Sequence, residues 1–343
     1  MSAQSASALA AETGEPVEVV SERSEYTRTE ANPDGTFTLT QSTTPQRVKA
    51  DDGSWRDVDV TLERRPDGSV GPKAAVVDLS FSGGGSGKDM IRLAAPQGSV
   101  GLGWPDRLPE PALEGATATY PEVFKGVDLQ LTATAEGYRE VLVVKTAEAA
   151  ANPELNEVAL TARGDGLTVA PGAGGGLRAI DEDGNTVFKG PAGLMWDSAG
   201  DADETGARTQ LMRNTSTPNP GEPAEGDVPE AAAPDKGDAS AVLPVHVSDG
   251  EIAVKPDLDV LRGEDTVYPV YIDPSMGLGV SERTVLSSDG DTFYDFSGDL
   301  GVGRCYRVGP YYCDADHTNR MYFEFSPSKL KLPLDVGHLE TGT

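Results

Sequence analysis

The chain has 343 residues and a formal net charge of −28 at pH 7, from 56 acidic and 28 basic side chains. Such a charge repels the phosphates of nucleic acids and of anionic lipids, which excludes direct nucleic-acid binding as a function. The 40 glycines and 25 prolines exceed their usual combined share of about 12% and exclude a long helical bundle. No stretch reaches the roughly 18–20 apolar residues of a membrane span, so we expect no transmembrane segment.

The first sixteen residues form a short lead segment. The stretch "AQSASALAAE" predicts one or two helical turns, which Gly14 and Pro16 end. This segment has neither the basic region nor the apolar region of a signal peptide. The protein is therefore either cytoplasmic, or a secretion signal is missing from this chain.

From Val17 onward, apolar and polar residues alternate with the period of two that is typical of strands, as in "TFTLTQS". The dipeptide Asp-Gly recurs seven times among these stretches. Asp tolerates and Gly readily adopts left-handed backbone angles, so we predict primed hairpin turns at these sites. Such hairpins predict an all-β protein built as an antiparallel β-sandwich. The seven pairs are Asp34-Gly35, Asp52-Gly53, Asp67-Gly68, Asp165-Gly166, Asp183-Gly184, Asp249-Gly250 and Asp289-Gly290.

Composition divides the rest of the chain. We predict one β-sandwich module from residues 17–197 together with residues 242–275. Residues 198–241 are acidic, proline-dotted and almost without large apolar side chains, which predicts a disordered insert. Strand patterns such as "RTVLSS" and "RMYFEF" in residues 276–343 indicate a further unit. Because about 70 residues make a small core, we expect this unit to be cut short.

The glycine-rich run "SGGGSGKD", Ser82 to Asp89, does not match a phosphate-binding loop. Such a loop requires Ser or Thr after its Gly-Lys pair to bind magnesium, and here Asp89 stands in that position. We therefore predict a flexible surface loop. The histidines His246 and His338 have no nucleophile pattern around them. Neither feature therefore provides a catalytic motif.

Three tryptophans and two acidic stretches are the candidates for ligand binding. Trp55, Trp104 and Trp196 could stack on sugars, but packing in the core or in turns is favoured. The stretches "DEDGN" (181–185) and "SSDGDTFYDFSGD" (287–299) offer oxygen ligands for calcium. The first fails the EF-hand pattern because its sixth position is Thr186, so a hairpin turn is favoured. We expect no cofactor, and Ca²⁺ is the alternative.

Both cysteines, Cys305 and Cys313, lie in one stretch, and His317 follows closely. No C-x-x-C motif occurs, and three ligands at irregular spacing fit structural zinc poorly. Two cysteines around a short turn favour one disulfide, which would contribute about 2–3 kcal/mol and indicates an oxidising compartment. Free thiols and a metal site that includes His317 are the alternatives.

Four stretches together resemble the non-catalytic N-terminal region of large secreted actinobacterial proteins of the DNRLRE, LamG and RHS-repeat type. In "DDGSWRDVDVTL", the matching residues are Trp55, Val58, Asp59, Thr61 and Leu62. "YPEVFKGVDLQL" (120–131) is similar to a strand-turn-strand of bacterial surface proteins, and "YPVYIDPS" (268–275) looks like the exit of that module. The stretch "NRMYFEF" resembles a DNRLRE strand through Arg320, Tyr322 and Phe325.

The resemblance implies a secreted or wall-associated β-sandwich module that supports other domains, and it brings no catalytic residues. A cell-wall polymer or a surface glycan is the expected partner; the sequence says nothing of the oligomeric state. The alternatives are a carbohydrate-binding module or polysaccharide-active enzyme, and the carrier part of an RHS-type toxin.

Overall fold

The computed structural model describes residues 1–274 except residues 43, 51, 88, 173–174, 201–233, 235–236 and 249. Beyond residue 274 it describes the backbone of four strands. The chain divides into two compact units, one containing Met1–Val58 and the other running from Asp59 to Tyr322. The predicted lead segment and the start of the predicted module 17–197 therefore share the first unit.

The first unit is a helix packed on a small sheet. The helix begins after Ser2, whose hydroxyl caps the N–H of Ser5, and it ends at Gly14, which adopts φ 73°. The helix packs on the sheet through small side chains. The buried apolar residues of this hydrophobic cluster are Ala6, Ala10, Val19 and Ala31. The elements are α1 (Ala3–Thr13), β1 (Val17–Glu18), a 3₁₀ turn (Val20–Glu22), β2 (Thr27–Ala31), β3 (Phe37–Gln41), β4 (Arg47–Lys49) and β5 (Trp55–Asp57). β1, β2 and β3 form one antiparallel sheet, and β4 pairs with β5.

The second unit consists mostly of antiparallel strands. Its elements are β6 (Asp59–Arg64), β7 (Val70–Ala74), β8 (Asp78–Phe81), β9 (Ile91–Ala95), β10 (Gly98–Gly103), β11 (Ala112–Glu114), β12 (Thr117–Phe124), β13 (Val127–Ala133), β14 (Tyr138–Val144), α2 (Ala147–Ala150), a 3₁₀ turn (Pro153–Asn156), β15 (Val158–Asp165), β16 (Thr168–Pro171), β17 (Leu177–Ile180), β18 (Thr186–Gly190), β19 (Gly193–Trp196), β20 (Ser240–Leu243), β21 (Val245–Ser248), β22 (Glu251–Val254), α3 (Leu258–Arg262) and β23 (Val270–Asp273). The strands beyond residue 274 are β24 (Arg283–Ser287), β25 (Thr292–Tyr294), β26 (Gly303–Cys305) and β27 (His317–Phe323).

Two large sheets share one hydrophobic core, as the predicted sandwich requires. The eight-stranded sheet has the order β21-β22-β15-β10-β9-β8-β7-β6, and the seven-stranded sheet has the order β11-β12-β13-β14-β23-β19-β20. Strand β13 shows how a strand contributes one face to this core: alternate side chains from Val127 to Ala133 are buried, and those between them are half-buried. Phe81 of the first sheet meets Tyr138 of the second edge to face, with ring centroids 6.3 Å apart. The predicted all-β antiparallel fold is confirmed.

The edges of the two large sheets adjoin each other. At one side, the N–H of Leu62 on β6 donates to the carbonyl of Gly115, in the turn between β11 and β12, at 2.8 Å. At the other side, β20 ends at Leu243 and β21 begins at Val245, so the chain passes between the sheets at Pro244. Proline lacks the N–H that a continuing ladder would need, which suits such a crossing.

Four Asp-Gly pairs of which both residues are described lie in loops between consecutive paired strands: β2–β3, β4–β5, β6–β7 and β17–β18. In each loop the glycine has φ between 80° and 87°, and its N–H donates to a carbonyl three residues earlier at 2.8–3.0 Å. The aspartates before these glycines have no positive φ, because Glu122 is the one non-glycine residue with positive φ among those described. The predicted primed turns are therefore wrong here. These loops fit a type I turn followed by a left-handed glycine.

Aspartate stabilises three of these loops by capping them. Oδ1 of Asp34, Asp52 and Asp67 accepts both the backbone N–H and the hydroxyl of the Ser or Thr two residues later. The side-chain hydrogen bonds from Thr36 and Ser54 lower the pKa of Asp34 and Asp52. In the β17–β18 loop, Asp181 accepts the N–H groups of Asp183 and Asn185 instead.

The glycine-rich run packs more closely than the predicted flexible surface loop. Ser82 is buried, and a methyl group on Gly83 would overlap the carbonyl oxygen of Gly68 at the tip of the β6–β7 hairpin. Gly85 forms an isolated bridge with Leu108. The beginning of the run is therefore fixed by backbone contacts, and Gly83 is needed there for its lack of a side chain.

Three smaller findings concern the predicted insert, a small separate sheet and the predicted unit of residues 276–343. The insert connects neighbouring strands, because β19 and β20 pair with each other, and β20 already begins at Ser240; most of residues 198–241 lie outside the described residues. β16, β17 and β18 form a separate three-stranded sheet. β24 to β27 form a four-stranded sheet, in which His317 is the first residue of β27.

We expect Gly83→Ala to lower the free energy of unfolding by about 2 kcal/mol, because the added methyl group meets backbone that cannot rotate away. Urea unfolding followed by tryptophan fluorescence measures this loss. Ser86→Ala, at an exposed position of the same loop, is the matched control. Equal stability of the two variants would contradict the close packing of Gly83.

Candidate functional site

Tyr120 is the first residue of "YPEVFKGVDL", one of the stretches quoted above for the family resemblance (the family-like stretches), and it connects the two large sheets. It lies on β12, is fully buried, and its hydroxyl donates to the carbonyl oxygen of Ser82 at 2.5 Å. Ser82 directly follows β8 of the opposite sheet. Burial raises the pKa of the Tyr120 phenol well above its usual range, so the phenol stays protonated as a donor. The role of Tyr120 is therefore to fix one sheet on the other.

Asp128 of the same stretch supports a strained turn. Its Oδ1 accepts the N–H of Glu122, which has φ 54° where the β12–β13 register shifts. The Glu122 carboxylate in turn accepts the N–H of Gly126 at 2.7 Å. The Lys145 ammonium lies 2.7 Å from Asp128 and 3.0 Å from Glu122. These contacts offset the cost of a left-handed Glu122.

This cluster holds charged groups in forms that suit structure better than catalysis. The hydrogen bond to Asp128 is the main cause that raises the pKa of Lys145, so its amine stays protonated and is not a nucleophile. The backbone hydrogen bond from Gly126 is the main cause that lowers the pKa of Glu122, so its carboxyl group stays ionised. Neither group is a suitable general acid or base near neutral pH.

Asp59, in the family-like stretch "WRDVDVTL", has a similar role. Its Oδ1 accepts the N–H of Thr61 at 3.0 Å, where the β6–β7 register shifts. The Thr61 hydroxyl is the main cause that lowers the pKa of Asp59, and Lys73 contributes. Leu62 is buried in the core, and its N–H donates to the carbonyl of Gly115 in the β11–β12 turn of the other sheet.

Asp273, in the exit stretch "YPVYIDPS", forms an ion pair on the outer face of the seven-stranded sheet. The Arg139 Nε donates to Asp273 Oδ2 at 3.0 Å, and the two side chains are 15% and 13% exposed. The Arg139 guanidinium also lies 5.8 Å from the ring of Trp196, which stacks on Tyr271. These contacts connect β14, β23 and β19, three neighbouring strands that are distant in sequence.

Glu140 is the most unusual ionisable residue in the described part of the chain. It lies on β14 with 0% exposure, and neither carboxyl oxygen has a hydrogen-bond partner among the described residues. Burial, with a further contribution from Asp273, raises the pKa of Glu140 to about 8. A neutral carboxyl group could act as a general acid, but this one has no surface that a substrate could reach.

The structure does not gather the predicted ligand-binding residues into one site. Trp104 and Trp196 are 8% and 2% exposed, so neither can stack on a sugar. Trp104 packs in the core between the sheets, whereas Trp196 packs on Tyr271. Trp55 is half-buried on β5 of the first unit, and His246 is exposed on β21. Asp181 and Asn185 of "DEDGN" bind each other across a hairpin loop. Trp196 instead contributes to the Arg139 cluster, which sequence reasoning missed.

Several predicted sites lie outside the described residues. They include Cys313, His338 and most of residues 287–299, while Cys305 and His317 are described as opposite partners in the backbone pairing of β26 and β27. The disulfide between Cys305 and Cys313 stays a prediction. In the part of the chain that was searched, no group of three or more His, Cys, Asp or Glu side chains is arranged to hold a metal ion. The helices of that part are too short or too polar to cross a membrane.

No protein-family model, no curated protein and no solved structure matches this chain. The contacts of the described residues assign structural roles to the aspartates of three family-like stretches.

Tyr120→Phe should lower the free energy of unfolding by about 1–2 kcal/mol, because the buried Ser82 carbonyl loses its donor. Tyr268→Phe is the control, since it removes a less buried hydroxyl that donates to Leu261, and we expect a smaller loss. Chemical unfolding at pH 7 measures both. A Tyr120→Phe loss no larger than the control's would argue against the inter-sheet role.

Asp273→Asn should lower the free energy of unfolding by about 3 kcal/mol, because it leaves the mostly buried Arg139 without its anionic partner. Glu148→Gln is the control, because Glu148 and its partner Lys125 form an exposed ion pair. We expect this variant to leave the free energy of unfolding unchanged. Thermal and urea unfolding compare the two variants. Similar small effects would show that the Arg139 pair is as dispensable as a surface pair.

Proposed function

We propose that this chain is a non-enzymatic structural module of a larger secreted or cell-wall-associated protein of the DNRLRE, LamG and RHS type. The observation that supports this most is the use of three motif aspartates, Asp59, Asp128 and Asp273, in internal contacts. Two of them cap backbone N–H groups at register shifts, and the third pairs with Arg139. These three carboxylates are engaged in supporting the framework.

The location of the protein is part of the same proposal. One disulfide between Cys305 and Cys313 would persist in an oxidising compartment. A net charge of −28 favours a soluble module that remains apart from other acidic polymers. A wall polymer or surface glycan is the proposed partner, contacted through hydrogen bonds more than through stacking, because two of the three tryptophans are buried.

A secretion experiment tests the proposal. The chain is fused to a bacterial signal peptide, and protein from the medium is denatured and titrated for thiols with and without prior reduction. We expect no free thiol before reduction and two after it. The Cys313→Ser variant should show one free thiol in both states. Two free thiols in unreduced protein, or folded protein found only inside the cell, would contradict the proposed location.

Binding and turnover are tested separately with the secreted protein on a glycan array and in a polysaccharide hydrolysis screen. A purely structural module gives binding at most and no turnover. Hydrolysis that persists after purification would replace the structural function with an enzymatic one.

A further inference from the structure

Glu140 is buried where an apolar side chain would be expected. Tyr138, Glu140, Leu142 and Val144 alternate along β14 and share one face of the strand, and all four are buried. Glu140 pairs with Leu131 on β13, and Leu131, Leu142 and Val144 belong to the core between the two large sheets. The carboxyl group is therefore on the core side of the seven-stranded sheet.

Among the described residues, no lysine or arginine forms an ion pair with this carboxyl group, and the charged group that acts on it is the anionic Asp273. Arg139 and Asp273 occupy the reverse face of the same sheet and pair with each other. Tyr138 is the ionisable neighbour on the face of β14 that Glu140 shares, and Tyr120 is the buried phenol on β12. The facing sheet contributes apolar side chains such as Leu79 and Phe81 to this core.

The other buried acids of the described residues show the contrast. Glu136 has a polar partner. Asp197 accepts the N–H groups of Ala199, Ala239 and Val267, which suits an ionised carboxylate. Glu140 has no such donors. An ionised carboxylate without donors or a cation is strongly unfavourable in an apolar core.

We propose that Glu140 makes the stability of the two-sheet module depend on pH: the module is most stable in acid, where this carboxyl group is uncharged in the folded and the unfolded chain alike, and it loses stability as the pH rises through neutrality. In the unfolded chain this carboxyl group ionises near its ordinary pKa of 4.5, whereas burial in the folded protein raises the pKa to about 8. Between these values the folded state holds a proton that the unfolded state has lost. The contribution of Glu140 to stability is therefore greatest below about pH 4.5, falls as the pH rises, and stops falling above about pH 8.

The test compares the full-length protein with its Glu140→Gln variant by urea unfolding from pH 5 to pH 9. Relative to the variant, the unfolding constant of the original protein should rise by up to about tenfold per pH unit until about pH 8. The comparison cancels the other acids of this chain. Glu114→Gln, on exposed Glu114 of β11 in the same sheet, is the matched control and should follow the original protein at every pH.

Two direct measurements locate the effect and do not require the Gln variant to fold. Carbon NMR of protein with labelled glutamate carboxyl groups should show one group that titrates near pH 8, and Asp273→Asn should move it lower. Hydrogen exchange should become faster in peptides from β13 and β14 over the same range, after correction for the intrinsic pH dependence of exchange. A glutamate set that titrates entirely near 4.5, or identical pH dependence with and without Glu140, would overturn the proposal.

Discussion

The second unit depends on one constraint, the burial of one face of each large sheet against the other. Strand β13 meets it by alternation, with its inward side chains buried from Val127 to Ala133. Once these faces are joined, the buried Tyr120 hydroxyl must find an acceptor across the core, and the Ser82 carbonyl provides it. The glycine-rich run must then stay close to the β6–β7 hairpin. The positions of Ser82 and of the glycine-rich run thus follow from the packing of the two sheets in the core.

The sequence predicted the elements that local rules determine. Alternation and Asp-Gly pairs located many strands and several loops, because strand period and left-handed glycine are properties of a few consecutive residues. The turn type was missed because it depends on capping by an aspartate carboxylate, which in three of the four loops accepts from a Ser or Thr two residues later and in the fourth belongs to Asp181. Strand order was beyond reach as well. β14 lies beside β23, more than a hundred residues away, and only packing of the complete sheet decides that pairing.

The contacts of the candidate site were partly readable from the sequence. Asp59 was named among the residues that carry the resemblance, and Asp128 and Asp273 lie in two further stretches quoted for it. Their partners Thr61, Glu122 and Arg139 emerge only when bulges and neighbouring strands are known. Glu140 left a signal that was not used. In "YREVLVV", it occupies the same parity as Tyr138, Leu142 and Val144, so any prediction that buries those residues also buries Glu140.

An acidic chain can use the same functional group in opposite ways, and hydrogen-bond donors decide which. Asp34, Asp52 and Asp59 lie beside N–H and hydroxyl groups, so their pKa values fall and the carboxylates stay charged as caps. Glu140 lies among apolar side chains without donors, so its pKa rises and it stays neutral in the core. The caps therefore contribute stability that is lost as acid protonates them, whereas the contribution of Glu140 is lost as the pH rises from the unfolded-chain pKa of 4.5 toward about 8. For these groups together, stability is greatest in acid, above the titration of the caps and near the pH at which glutamate in the unfolded chain begins to ionise.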